Sequence, residues 1–177
     1  MVEMEVLGVQ VELPFNTPVI LLREIGDEAR VLPIVVDVPE AQAIGRILEG
    51  VRMPRPMTHD LMTDILDQLD VELISVTVTE LRDRTFFAEL VVEGNGLRRT
   101  ISARPSDSVA LAVRAGTPIF VADEVLAMAA TRLEVGDLNE YDDEDFSNVG
   151  DEESDPSELL DEFKLFLDDI NPEDFQS

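Results

Sequence analysis

Hydrophobic and polar residues alternate along the first forty positions in a pattern that predicts extended strands. The predicted strands cover residues 2–12, 19–24 and 30–36. Successive side chains of a strand point to opposite faces, so we expect one face of each strand to be buried. The segment from Pro14 to Pro18 predicts a turn, and Gly26-Asp27 predicts a hairpin. Pro33 cannot donate a backbone hydrogen bond, which indicates an edge or a bulge.

Apolar residues then recur three and four positions apart, which predicts two helices. The first helix covers residues 39–48, with Asp37 as its N-cap and Glu40 as the partner in a capping box. Thr58 is the predicted N-cap of the second helix. The apolar stripe of this second helix is expected to face the core and consists of Leu61, Ile65, Leu66 and Leu69.

Strand patterns return after the second helix and predict the second half of a sheet. The predicted elements are strands 71–81, 85–92, 97–103 and 118–121 and helices that open at Pro105 and at Asp123. Strands joined by hairpins favour antiparallel pairing, and the interspersed helices must cover one face of the sheet. We therefore predict an α+β fold, with helices packed on a mixed, largely antiparallel sheet, in one domain of residues 1–135.

Composition changes abruptly after this domain. Residues 136–154 are rich in Asp, Glu, Asn and Ser and predict an acidic disordered linker. Residues 155–171 predict an amphipathic helix, because an N-cap, a proline and a glutamate open it in the expected order, and residues 172–177 form the C-terminal end. One face of this acidic tail helix carries Leu159, Leu160, Phe163, Phe166, Leu167 and Ile170.

Charge and composition exclude several kinds of functional site. The net charge is −26, of which residues 1–135 contribute −10 (22 acids, 12 arginines) and residues 136–177 contribute −16 (17 acids, one lysine). The absence of cysteine excludes disulfides and thiolate metal sites, and a single histidine excludes His-rich metal sites. No stretch approaches the ~18 apolar residues of a membrane span. The N-terminus lacks a signal-peptide pattern, so we expect a cytoplasmic protein without membrane contact.

Two predicted helix starts carry residues that could perform chemistry. They are Arg55, Thr58, His59 and Asp60 at the second helix and Arg104, Ser106 and Asp107 at the third. Helix N-termini attract anions, and a neighbouring arginine can grip a phosphate. The same residues equally fit ordinary caps and ion pairs that lock two loops. No glycine-rich nucleotide motif occurs, so we expect no organic cofactor.

Four stretches together resemble the bifunctional nuclease domain family. They are Leu32-Pro33-Ile34 with Glu40-Ala41, Arg55-Pro56 with Thr58-His59-Asp60-Leu61, Thr85-Phe86-Phe87-Ala88, and Arg104-Pro105-Ser106-Asp107-Ser108. The resemblance covers roughly residues 2–133 and implies a small α+β domain that acts on RNA and DNA and forms homo-oligomers. The chain departs from the family where Val35-Val36-Asp37 replaces an aromatic and a small residue, and where Arg84 replaces a glycine or asparagine.

The resemblance and the candidate residues lead to a hypothesis of a nuclease with low intrinsic activity. In this hypothesis His59 acts as general acid or base, and Arg55 and Arg104 bind phosphate. Asp60 and Asp107 act in catalysis by holding Mg²⁺ or Mn²⁺, with Glu40 as a weaker alternative ligand. A net charge of −10 opposes nucleic-acid binding at long range, so such a nuclease needs a local cluster of arginines.

The rival hypothesis is a non-catalytic interaction module whose tail helix recruits a protein partner. Six large apolar side chains on one face of an isolated helix require a surface, because such a helix is not stable in water by propensity alone. That surface could belong to another protein, which we favour, or to the domain itself, where the acidic segment would cover the arginines. The third alternative is a disordered tail that only adds solubility.

Overall fold

The computed structural model describes residues 1–12, 17–26 and 30–132, which form eight strands and four helices. The strands are β1 (Val2–Glu12), β2 (Thr17–Glu24), β3 (Arg30–Val35), β4 (Val71–Arg82), β5 (Thr85–Gly94), β6 (Leu97–Ala103), β7 (Ile119–Val121) and β8 (Thr131–Arg132). The helices are α1 (Val38–Leu48), α2 (Thr58–Gln68), α3 (Pro105–Ala115) and α4 (Asp123–Ala129). The predicted linker and tail helix lie outside the described residues.

All eight strands form one sheet in the order β6-β5-β4-β7-β1-β2-β3-β8. Two antiparallel meanders, β1–β3 and β4–β6, are joined by β7, which pairs parallel with β4 and antiparallel with β1. Every other pair of neighbouring strands is antiparallel. The predicted α+β class with a mixed, largely antiparallel sheet is therefore confirmed.

The core lies between the sheet and its helices, and α3 is the most deeply placed helix. Seven of its eleven residues are buried, from Pro105 to Ala112. Ala110 and Ala112 provide small side chains that let the helix approach its neighbours closely, and Val109 and Leu111 fill the core beside them. Residues of α3 contact α1, α2, β4 and β5, so groups at its N-terminus are held on a rigid platform.

Most of the predicted elements lie within one or two residues of the observed ones, and the differences have local causes. The predicted turn is wrong at Thr17 and Pro18, which belong to β2 and lie opposite Glu12 and Val11. Asp37 is the N-cap of α1, but its side chain makes no capping hydrogen bond. The predicted capping box is absent because the carboxylate of Glu40 accepts from Arg104 instead. Pro33 lies in the part of β3 that β8 does not cover, as expected for an edge position.

The predicted inward stripe of α2 is wrong. Leu61, Ile65 and Leu69 are 51%, 47% and 63% exposed, and the one buried residue of this helix is His59. The N-cap is Met57 rather than Thr58, because the Asp60 carboxylate accepts from the backbone N–H of Met57 at 2.9 Å. The helix therefore turns its polar side, rather than its apolar side, toward α3. No helix within the described ranges is long and apolar enough to cross a membrane.

Candidate functional site

A cleft of about 570 Å³ opens between the helices α1, α2 and α3 and the strands β5 and β6. Its apolar walls include Ile47, Met53, Met57, Met62, Leu90 and Ile101. Its polar lining includes Glu40, Arg46, His59, Asp60, Arg104, Asp107 and Arg114. Three arginines and three carboxylates balance one another there, so the cleft lacks the negative charge of the domain as a whole.

A chain of hydrogen bonds runs from α2 through the start of α3 to α1. His59 Nε2 lies 3.1 Å from Asp107 Oδ1. Arg104 donates to both carboxylate oxygens of Asp107, from Nε at 2.8 Å and from Nη2 at 3.1 Å. The same Nη2 donates to Glu40 Oε1 at 2.7 Å. Asp107 is thus fixed from two sides and in turn fixes one nitrogen of the imidazole.

The local sequence holds Arg104 and Asp107 at the start of α3. Arg104 is the N-cap in an extended conformation, and Pro105 follows at the first helical position, where its ring favours the helical φ. Arg104 and Asp107 are three residues apart on one side of the first turn, which allows their bidentate contact. The hydroxyl of Ser108 donates to the Arg104 carbonyl at 3.0 Å and further restrains this turn.

A second ion pair connects the same three helices. Arg114, whose side chain is 7% exposed, donates from Nε to Asp60 Oδ1. Its two terminal nitrogens donate to the carbonyls of Ala110 at 2.9 Å and Ala43 at 3.0 Å. Asp60 Oδ2 accepts from the backbone N–H of Met57. One guanidinium therefore connects α1, α2 and α3, which indicates a structural role for Asp60.

These contacts shift the pKa values of three side chains in the site. Burial by itself would raise the pKa of Asp107, but hydrogen bonds from Arg104 and His59, and their charges, outweigh it and lower the pKa. The hydrogen bond from Arg114, and then that from the Met57 amide, lower the pKa of Asp60. Hydrogen bonds to Asp107 and Glu40 raise the pKa of Arg104. Both aspartates are therefore ionised at neutral pH.

His59 is buried, yet one of its nitrogens remains usable for chemistry. Within the described residues, Nδ1 has no hydrogen-bond partner. Every fully buried polar side-chain atom in those residues does have a partner, so Nδ1 is not fully buried. Nδ1 therefore keeps contact with solvent. With the proton of a neutral imidazole on Nε2 and shared with Asp107, the lone pair of Nδ1 is free to accept a proton.

The structure brings four of the five predicted site residues into this cleft: His59, Asp60, Arg104 and Asp107. Arg55 is exposed and does not line it, so the predicted phosphate contact of Arg55 stays a prediction. The sequence analysis missed Arg46, which lines the cleft from the last turn of α1 and has no ion pair among the described residues. An arginine at a helix C-terminus is so common that nothing in the sequence distinguished it.

Comparison with known proteins decides the family. A sequence profile described as the bifunctional nuclease domain matches residues 20–134, about two thirds of the chain. The chain belongs to the bifunctional nuclease domain family. The relationship suggested by the four sequence stretches is thereby confirmed.

Three similar proteins match different lengths of this chain. The uncharacterized protein Rv1829 of Mycobacterium tuberculosis is 41% identical over 175 residues, which are 99% of this chain and 98% of that protein. Bifunctional nuclease 2 of Arabidopsis thaliana is 30% identical over 93 residues, 51% of this chain and 28% of that protein. Bifunctional nuclease 1 of the same plant is 28% identical over 107 residues, 59% of this chain and 33% of that protein.

The predicted magnesium or manganese site does not fit the carboxylates as they are placed. In the described part of the chain, no three His, Asp or Glu side chains converge as metal ligands would. Both oxygens of Asp60 and both oxygens of Asp107 already accept hydrogen bonds from arginine, histidine or backbone donors. Mg²⁺ takes six oxygen ligands, several of them waters, together with one or two carboxylates that turn free lone pairs toward it. The oxygens of Asp60 and Asp107 are turned toward arginine, histidine and backbone donors instead, so as placed they do not suit such a cation.

The Asp60 carboxyl is expected to make the fold sensitive to acid. Its pKa in the folded protein lies below the ordinary value of 3.8, so the unfolded chain binds this proton more readily. The stabilising contribution is therefore complete well above that value and is lost as the pH falls through the lowered folded pKa. Chemical denaturation should show wild type more stable than Asp60→Asn near neutral pH, with the difference shrinking below about pH 4.

The control for this measurement is Asp64→Asn on the same helix. Asp64 is exposed and makes no ion pair or hydrogen bond among the residues that the structure describes. Its substitution should change the free energy of unfolding little, and by a similar amount at each pH. A difference between wild type and Asp60→Asn that stays constant across the acid range would contradict the assigned role of the ion pair.

Proposed function

We propose that this protein is a nuclease of low intrinsic activity that hydrolyses phosphodiester bonds in RNA, DNA or both. The observation that carries the proposal is the His59–Asp107–Arg104 arrangement in the cleft of a chain from the bifunctional nuclease domain family. The names of the two plant relatives, bifunctional nucleases, support the same reaction class. We further propose that it acts in the cytoplasm, on nucleic acid, as a homo-oligomer.

His59 is the proposed general base. Asp107 holds Nε2, which leaves Nδ1 as the nitrogen that can take a proton from a water or ribose hydroxyl that attacks phosphorus. The negative charge of Asp107 also stabilises the imidazolium that forms, as a buried carboxylate does for a catalytic histidine. The phosphodiester oxygen leaves as the new bond to phosphorus forms, and the protonated imidazole can return its proton there.

Arg46 is the proposed phosphate ligand of the cleft. Arg104 and Arg114 are already neutralised by Glu40, Asp107 and Asp60, so their guanidinium groups position other side chains. Arg46 has no such partner in the described residues and lines the same cleft, which leaves its charge available for an anion. The sequence predicts Arg55 and Arg104 as phosphate ligands. To bind phosphate, Arg55 would exchange its contacts with solvent, and Arg104 its contacts with carboxylates, for contacts with the substrate.

The decisive experiment is a cleavage assay with the full chain on RNA and on single-stranded DNA. Parallel reactions with Mg²⁺, with Mn²⁺ and with a chelator establish whether either cation is needed. Cleavage that copurifies with the protein and responds to substitution of His59 supports the proposal. No cleavage of either substrate under any of these conditions, by a folded protein, rules out the proposed activity.

One observation favours the alternative of a non-catalytic interaction module: the oxygens of Asp60 and Asp107 are all engaged in contacts that stabilise the fold. In that case the tail helix would recruit a protein partner. Truncation after Val135 should then leave a cooperative melting transition and any activity unchanged, while a pulldown loses its partner. Phe163→Asp alone should cause the same loss, since one charge on the apolar face removes about 1.5–3 kcal/mol of burial.

The controls are the full chain and Asp161→Asn, a substitution on the polar face that the sequence predicts for the tail helix. A rise in nucleic-acid cleavage on truncation, larger at low salt, would instead indicate autoinhibition by the acidic segment. If Phe163→Asp changes neither activity nor association, the tail helix has neither proposed role.

A further inference from the structure

The strand β6 forms one edge of the sheet and is unusually open. Six of its seven residues are exposed, including Leu97 at 60% and Ile101 at 46%. In the described ranges its only sheet partner is β5, paired without a register shift over seven residues. The strand contains no proline, and its only charged residues are Arg98 and Arg99. A long, regular edge without proline or a bulge is a template for pairing with another chain, provided that its charges do not face like charges.

We propose that β6 pairs antiparallel with β6 of a second copy of this chain, around a two-fold axis at Thr100. The axis stands perpendicular to the sheet, so equivalent faces of the two copies stay on the same side. Thr100 then lies opposite its own equivalent, Arg98 opposite Ser102, and Leu97 opposite Ala103. This register places no two charges directly opposite each other, as a stable antiparallel pair requires.

Charge complementarity favours a second copy as the occupant. Glu89 on β5 is exposed, has no ion pair in the described part of the chain, and lies beside Ser102 on the same face. In the proposed register Arg98 of the second copy is on the other side of that serine. Arg98 donates from Nε to Glu93 on its own β5 at 2.6 Å, an exposed pair that it would exchange for the contact with Glu89. Glu89 and Arg98 of the second copy are then two strand spacings apart, roughly 10 Å between Cα atoms, which an arginine crossing a small serine can span. The contact occurs twice by symmetry.

The exposed apolar side chains around the cleft support the same occupant. Met62 of α2 and Ile101 of β6 line the same cleft, and the exposed stripe of α2 continues from it. In the joined sheet, the helices of both copies lie on the same side. Each copy therefore offers the other the same exposed apolar surface. Contiguous exposed apolar side chains rimmed by polar residues commonly mark interfaces.

The pairing would also complete the cleft, an inference that rests on the proposed nuclease function. In the proposed register Arg99 of the second copy lies opposite Ile101, which lines the cleft. Arg99 has no ion pair within its own described chain. Each cleft therefore gains a second unneutralised arginine beside Arg46, and two such groups suit successive phosphates of a nucleic-acid strand better than one.

The test measures association of the full chain by sedimentation, with variants chosen for the symmetry. Thr100 is exposed and faces itself, so Thr100→Lys and Thr100→Glu each place like charges opposite each other without touching the core. We expect each variant to weaken self-association roughly tenfold at low salt. An equimolar mixture of the two should restore wild-type association, because lysine then faces glutamate. The control Thr85→Lys makes the same change at an exposed position away from β6.

The outcomes separate this proposal from the proposed activity. A monomeric wild type, wild-type association by both Thr100 variants, or a mixture that fails to recover would each overturn the interface, whatever the cleavage assay shows. A dimer with this pattern but without cleavage supports the interface and contradicts the nuclease. If both hold, Arg99→Gln should lower binding of a single-stranded oligonucleotide severalfold and leave the dimer intact. Unchanged binding would overturn the contribution of Arg99 to the cleft.

Discussion

Replacing His59 by alanine should lower the cleavage of RNA or single-stranded DNA by a factor of about 100 to 10,000, the usual contribution of a positioned general base. The expectation follows from the contact between His59 Nε2 and Asp107, which leaves Nδ1 without a hydrogen-bond partner among the described residues. Without the imidazole the attacking oxygen must give its proton to water. The measurement is the rate of cleavage under single-turnover conditions, with wild type and variant purified identically.

Asp107→Asn provides the graded comparison. Asparagine keeps the shape of the side chain but loses the negative charge that orients and stabilises the imidazolium, so we expect a smaller loss of rate than for His59→Ala. The matched control is Asp67→Asn on the exposed side of α2, which changes the net charge equally and should leave the rate unchanged. Thermal unfolding must first show that His59→Ala is folded, because His59 is buried. Full activity in a folded His59→Ala protein would refute the assigned role.

Replacing Arg114 by methionine should lower the free energy of unfolding by about 2–3 kcal/mol. The guanidinium is almost completely buried and satisfies the carbonyls of Ala43 and Ala110 together with the Asp60 carboxylate. Methionine preserves much of the packing volume but removes the charged donor that the Asp60 carboxylate and the two carbonyls share. The expected cost lies below that of a fully buried pair, because about a third of the Asp60 side chain is exposed and water can partly solvate it.

Arg46→Met is the matched control, since it makes the same chemical change in the same cleft at an arginine without an ion pair in the described residues. Urea denaturation should show nearly wild-type stability for Arg46→Met. The same variant should weaken binding of a single-stranded oligonucleotide if Arg46 holds phosphate, so the two arginines separate stability from binding. Equal losses of stability at the two positions would contradict the structural role of Arg114.

The sequence by itself determined the elements of this fold and its family. Strand patterns repeat every two residues and helix patterns every 3.6 residues. Both periods arise within a short segment, so they can be recognised from the sequence without the tertiary structure. Pro105 and Gly116 bound α3 through their own backbone preferences, since Gly116 closes the helix in the left-handed conformation. The contact of Arg104 with Asp107, three residues away, belongs to the same class of local interactions.

Only the tertiary structure decided which face of α2 is buried and which residues of the site pair with one another. The apolar stripe of α2 predicted an inward face, but His59 points inward because Asp107, 48 residues away, holds it there. The capping glutamate predicted at Glu40 is drawn instead to Arg104, 64 residues away, and Asp60 to Arg114, 54 residues away. A hydrogen bond between charged groups outweighs the weaker local preference for a cap or for burying one stripe, because the charged groups would otherwise lose their hydration without compensation. Such pairings depend on which segments the sheet brings together, and that information is distributed over the whole chain rather than carried by any local pattern.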